Sequence, residues 1–188
     1  DKNIMSWIDR IESAIQNFKL KKLYWSGINY SLESKQKKIN FLQEIRSKVK
    51  NDFRINPDLF ADELCDKLDY NVYSQNDELD LKLNWDQVKI AHDSEYLLIG
   101  GHSHSHKILS FLNEKDLKEE IELSIGLLKS KGQIETIHYS YPEGLSNCYN
   151  ERVIFELKNK GVQCCPTAIY GVNEINCSPF HLKRVQVI

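Results

Sequence analysis

Three observations predict an α/β fold with parallel strands. From residue 84 onward, stretches of helical and of extended periodicity alternate, the pattern of strands joined by crossover helices. A short apolar run, Tyr96-Leu-Leu-Ile99, leads straight into Gly100-Gly-His-Ser-His-Ser-His106, so chemistry-bearing residues fall where a strand would end. The chain has 188 residues, 41% of them apolar and 28% charged, which suits one domain with a real core and is short for two.

The elements follow in order. Over residues 5–18, Trp7, Ile8, Ile11, Ile15 and Phe18 fall on one face of a helix. Residues 20–31 alternate about Ser26-Gly27, which predicts a hairpin. A second helix is expected from Ser34 to about Lys50, with Ile39, Leu42, Ile45 and Val49 inward. A third, over about 57–69, starts at Pro57 and carries Leu59, Leu64 and Leu68. The polar, Asn/Asp-rich stretch 70–83 reads as a loop.

Asn84 then caps a short helix bearing Trp85, Val88 and Ile90, and a strand over 96–100 reaches the histidines. Asn113 caps a helix of about 114–131, with Leu117, Ile121, Ile125 and Leu128 as its stripe and Gly132 as its end. A strand at 134–141, a helix at about 149–160 and strands at 162–169 and 182–188 complete the chain. The whole is expected to be a single domain: a mostly helical elaboration over 1–83 on an α/β core at 84–188.

Net charge is −2, with no dominant sign, which argues against a nucleic-acid surface. No apolar run approaches the ~18 residues of a membrane span. The five cysteines, Cys65, Cys148, Cys164, Cys165 and Cys177, have no CxxC spacing and fit reduced thiols of a cytoplasmic protein, with envelope association the other placement. The first residue is Asp1 rather than Met, so a segment ahead of it is expected.

Three imidazoles in five positions point to a metal, because neutral imidazole is the commonest ligand for zinc-like ions. His102 and His106 converge if the loop curls into a helical turn, whereas His102 and His104 share a face if it stays extended. Gly100-Gly101 would let the backbone turn sharply, and the hydroxyls of Ser103 and Ser105 would hold the turn through bonds to backbone. A second turn, Tyr139-Ser-Tyr-Pro-Glu-Gly144, ends the next strand and is expected beside the histidines.

These residues carry a resemblance. Trp85-Asp-Gln-Val88 followed by Ile99-Gly-Gly-His-Ser-His-Ser-His-Lys-Ile-Leu-Ser110 resembles the W-x-Q-(I/L) … I-G-x-H-(S/T)-x-(S/T)-H-x-x-L-S block of polysaccharide deacetylases, the NodB-type carbohydrate esterases of family four. Glu119-Glu-Ile-Glu-Leu-Ser124 is similar to the E-I-x-x-S helix of that family, and Tyr139–Gly144 to its F-x-Y-P-x-G turn. Phe180-His-Leu-Lys-Arg-Val-Gln-Val187 is similar to the L-x-R-I-x-V ending of a surface-polysaccharide subgroup.

The resemblance implies a distorted (β/α) barrel with a helical insertion, whose first strand or strands are missing from this chain. It implies hydrolysis of an N-acetyl group on an amino sugar of a glycan or glycan precursor, in surface-polysaccharide synthesis, with Zn2+ or another divalent transition metal. His102 and His106 would be its ligands, Ser103 would steady the loop, and His104 would be a neighbour. The backbone N–H of Glu143 would face the oxyanion, Tyr141 and Pro142 would meet the N-acetylated sugar or polysaccharide, and His181 would be the acid.

The family's Asp-Asp pair is not found in this chain, so a missing segment or a second polypeptide would carry it. Many members have an Arg where Ser140 stands, and Arg184 is the substitute expected here. Two other readings exist: a domain of the same fold that binds glycan without turnover, and a His-x-His amidohydrolase or phosphoesterase using His102 and His104.

Overall fold

The structure is a computed structural model that describes residues 5–52, 54–71, 82–185 and 187. It divides into two compact units, residues 1–82 and 83–188.

In the first unit, Ser6 caps helix α1 (Trp7–Asn17) by accepting from the Asp9 N–H, and Ser34 caps α2 (Lys35–Asn51) by accepting from Lys37. Strands β1 (Lys22–Trp25) and β2 (Ile28–Ser31) pair antiparallel across the expected hairpin. Its two turn residues, Ser26 and Gly27, have φ of 48° and 81°, the backbone twist that a two-residue hairpin needs. Asn56 caps α3 (Pro57–Lys67), and Pro57 stands at its start.

The core here holds Ile11, Ile15, Leu23, Trp25, Phe41, Ile45 and Leu64. Each large side chain so buried contributes about 1.5–3 kcal/mol over its exposed state. The inward face of α2 is centred on Phe41, Ile45 and Val49 rather than on Ile39 and Leu42, which are half-buried. The bulky ring takes the central position. The loop expected over 70–83 lies mostly outside the described residues.

In the second unit, α4 (Trp85–His92) opens with a full capping box between Asn84 and Gln87. Helix α5 (Glu114–Leu127) is capped by Asn113 and continues as a wider turn over Leu128–Gly132. The left-handed residue that ends it is Gln133, not Gly132. Helix α6 (Glu151–Asn159) packs Val153, Ile154 and Leu157 against Leu117, Ile121 and Tyr139.

Where strands were expected, the described residues make single parallel pairings: Gly101 with Tyr139, His138 with Cys164, and Tyr170 with Arg184. Backbone bonds from Thr167 N to Leu182 O (2.8 Å) and from Arg184 N to Ile169 O (2.9 Å) extend the last pairing. Helix α5 lies between the first two paired segments in sequence and α6 between the second and third, as parallel crossovers require. Among the described residues the one regular ladder is the β1–β2 hairpin, so the full strands and the closed barrel are not seen there.

The run 96–99 shows why. Tyr96, Leu97 and Leu98 are 85%, 58% and 67% exposed, and no ladder bonds reach them among the described residues. An extended segment is a strand only where a neighbour takes its N–H and C=O groups. The terminal strand expected to residue 188 lies partly outside the described residues.

Candidate functional site

The histidine loop is hung from the first parallel pairing. Gly101 N donates to His138 O at 2.9 Å, and Ser140 N donates to Gly101 O at 2.8 Å. The two glycines serve this approach, not the sharp turn expected of them. A Cβ at Gly100 would stand 2.8 Å from His138 O, and one at Gly101 would stand 2.3 Å from the Tyr139 ring. The turning is done by Ser103 and His106, both left-handed with φ of 60° and 58°.

Polar side chains from below hold that strained backbone. The Glu120 carboxylate on α5, only 6% exposed, accepts from His104 N at 2.9 Å and from Ser105 N, and both its oxygens stand 2.9 Å from Ser105 Oγ. One turn further along α5, Ser124 Oγ donates to Ile121 O at 2.9 Å. Its only proton being so used, Ser124 accepts from Tyr139 Oη at 2.8 Å, and Tyr139 Oη in turn accepts from Ser103 N at 2.7 Å. Burial pushes the Tyr139 hydroxyl up to about 12, so it keeps the proton this chain of bonds needs.

The hydroxyls thus divide differently from expectation. Ser105 Oγ bonds Glu120 rather than backbone, while Ser103 is held by its N–H and its buried Oγ has no partner among the described residues. A hydroxyl left without a partner beside His102 marks a place where one more polar group belongs.

Within this loop the rings of His102 and His106 face each other edge-on, with centroids 4.8 Å apart. His102 Nδ1 lies 2.9 Å from the Ser140 carbonyl and 2.8 Å from Ser140 Oγ. A carbonyl can only accept, so Nδ1 carries a hydrogen, which in a neutral ring leaves the lone pair on Nε2. A metal-ligating histidine is normally set up by such an outer bond. Ser140, read from the sequence as a departure, is therefore the residue that fixes the His102 tautomer. His104 is exposed and stands outside the ring pair.

The second turn is built by Glu143 and Gly144, both left-handed at φ of 61° and 65°. A Cβ on Gly144 would meet Ala168 N at 2.7 Å, and Ala168 N donates to Gly144 O at 2.8 Å. Tyr141 and Pro142 are buried. Tyr141, 1% exposed, donates its hydroxyl to Phe180 O at 3.1 Å, and burial raises its pKa. Its ring stacks on Tyr149 at 4.3 Å. Tyr141 and Pro142, expected to meet the sugar, are thus both buried residues of this turn.

Tyr149 Oη reaches exposed His181 Nδ1 at 3.1 Å. Arg184 is exposed on the last pairing, where its Nε donates to the Thr167 carbonyl. Glu120 and Ser140 each do work in this site that the E-I-x-x-S helix and the Tyr139–Gly144 turn do not spell out in sequence. Glu120 had a legible signal, since it stands within the inward stripe of α5 beside Leu117, Ile121 and Ser124. A carboxylate on a buried helix face needs donors, and the loop supplies them.

Two imidazoles with ring centroids 4.8 Å apart suit two of the four positions of a zinc-like ion. Among the described residues no three His, Cys, Asp or Glu side chains converge, so the pair fits as part of a donor set and not as a complete one.

The chain shares its fold with a solved structure, the deacetylase PplD of Streptococcus pyogenes in complex with acetate. The two align with a TM-score of 0.52 and 17% identity, over 96% of this chain and 81% of the other. No curated protein matches. Residues 66–165, more than half of the chain, match the polysaccharide deacetylase family model and hold both the histidine loop and the Tyr139–Gly144 turn, so the chain belongs to the polysaccharide deacetylase family.

Proposed function

We propose that this chain hydrolyses the N-acetyl group of an amino sugar in a glycan or glycan precursor, with His102 and His106 holding a zinc-like divalent ion. The observation that supports this reading is the ring pair at 4.8 Å, with His102 Nδ1 bonded to Ser140 and its other nitrogen assigned here as the ligand. Membership of the deacetylase family supports the reaction class. The acetate bound by the PplD deacetylase is the product such a reaction releases.

In the reaction, water adds to the acyl carbon, the C–N bond breaks, the sugar nitrogen takes a proton and acetate leaves. When bound, the ion supplies polarisation of the acetamide carbonyl and activation of the attacking water. The Glu143 N–H is assigned to the oxyanion, and His181, oriented through Nδ1 by Tyr149, to the proton delivered to nitrogen. Arg184 is assigned to orienting a carboxylate base. The 188 residues contain no Asp-Asp pair, so that base and the remaining ligand are proposed to come from a further segment or a second polypeptide. Surface-polysaccharide synthesis in the cytoplasm is the setting proposed.

The experiment is metal uptake and acetate release with the full chain and N-acetylhexosamine oligosaccharides. His102→Ala and His106→Ala should abolish both, while His104→Ala should leave metal binding within a few-fold. Equal loss in all three removes the assignment. Glycan binding without acetate release favours the second reading, a binding domain, which the lack of a third converging ligand among the described residues supports.

A further inference from the structure

We propose that Glu120 is a positioning residue for the histidine pair: its buried carboxylate sets the spacing of His102 and His106 and so the affinity of the site for a divalent ion. This rests on the reading above that the two histidines hold that ion.

Glu120 is 6% exposed and has no cationic partner among the described ion pairs. A carboxylate removed from water needs strong donors, and here all three it finds, His104 N, Ser105 N and Ser105 Oγ, belong to the histidine loop. They lie between the two ligands in sequence, so the carboxylate fixes the arc of chain that joins His102 to His106. The loop does not hold this shape by itself, because Ser103 and His106, on either side of the clamped residues, are both left-handed without being glycine.

A second grip comes from the same helix face four residues on, through Ser124, Tyr139 and Ser103 N. The two grips differ in kind. Ser124–Tyr139 holds the entry to the loop with neutral groups, whereas Glu120 holds its middle with a charge that accepts three hydrogens. A glutamine there has the same shape and keeps one oxygen for the two N–H groups, but it is neutral, and its amide would have to donate to Ser105 Oγ. Bonds to a neutral oxygen hold the clamped backbone less tightly, and the rings shift with it. Loss of outer contacts of this kind lowers metal affinity about 10–100-fold in known sites.

The test is Co2+ titration of the full chain, read by its visible absorption. Glu120→Gln should bind Co2+ about 10–100-fold more weakly, with a changed band shape. Ile121→Val, on the same helix and buried, should lower stability slightly and leave affinity and spectrum as they were. If Glu120→Gln does not fold, Glu120→Asp replaces it: charge and both oxygens stay, reach is shorter, and a severalfold loss is expected.

Unchanged affinity and spectrum in the Glu120 variant, with binding still abolished by His102→Ala and His106→Ala, overturn this proposal and leave the metal reading standing. Co2+ uptake absent from the unmutated chain overturns the metal reading and this proposal with it. A loss of affinity matched by Ile121→Val reduces Glu120 to general stability and also overturns it.

Discussion

Residues 5–71 and the loop at 102–106 are built on opposite plans. In the first, apolar side chains such as Ile11, Ile45 and Leu64 point inward, while the helices and the hairpin satisfy the backbone. In the second, the side chains of His102, His104 and His106 face out, and it is the backbone that is fastened inward, to Glu120, Tyr139 and Ser140. The first plan yields stability without placed chemistry. The second leaves imidazoles accessible yet fixed, as a binding site requires.

The strongest way to break this contrast is at Leu64, fully buried in the first core. Leu64→Ala should cost about 2–5 kcal/mol in denaturant unfolding, from lost transfer energy and the cavity left. Amide exchange should slow as before at His104 and Ser105, whose protection comes from Glu120. Equal loss of protection in both places would mean that the two plans are one cooperative structure.

A smaller effect sharpens the contrast inside the second unit. Gly101→Ala puts a Cβ 2.3 Å from the Tyr139 ring, and should cost about 1–3 kcal/mol along with Co2+ binding. Gly126→Ala, inside α5, meets nothing within 4 Å and should stabilise by about 0.5–1 kcal/mol. Melting curves of the two variants should shift in opposite directions. A shift in the same direction would show that the close approach at Gly101 does not hold the loop.

Legibility in the sequence followed the same divide. Helices α1 to α6 and the hairpin were readable because their signals are local: apolar periodicity, caps and a two-residue turn. The histidines were readable as candidate ligands because chemistry and spacing are in the sequence itself. What holds them was not. Ser140 and Glu120 meet the loop 38 and 15 to 16 residues away in sequence, and no periodicity encodes such pairings. Glycines 100 and 101 were assigned to turning because a glycine advertises both freedom and smallness, and the sequence does not say which is used. The strand at 96–99 was overread for a related reason: an apolar run states a preference for burial and cannot show whether a neighbour is there to pair.

Helix caps are where the two plans should not differ, and they form the smallest and most symmetrical test. Asn56 starts α3 in the first unit by accepting from Asp58 N and Leu59 N at 3.0 and 3.2 Å. Asn113 starts α5 in the second by accepting from Asp116 N at 2.9 Å. Each satisfies donors that the first turn of a helix leaves open, a local need indifferent to what the helix later packs on. Asn56→Ala and Asn113→Ala should therefore each cost about 1 kcal/mol in unfolding free energy. Neither should change Co2+ affinity by more than about twofold, because the Glu120 clamp lies nearly two turns beyond Asn113, past the reach of a frayed first turn. A tenfold loss of affinity in Asn113→Ala would show that the start of α5, and not only its carboxylate, sets the histidine spacing.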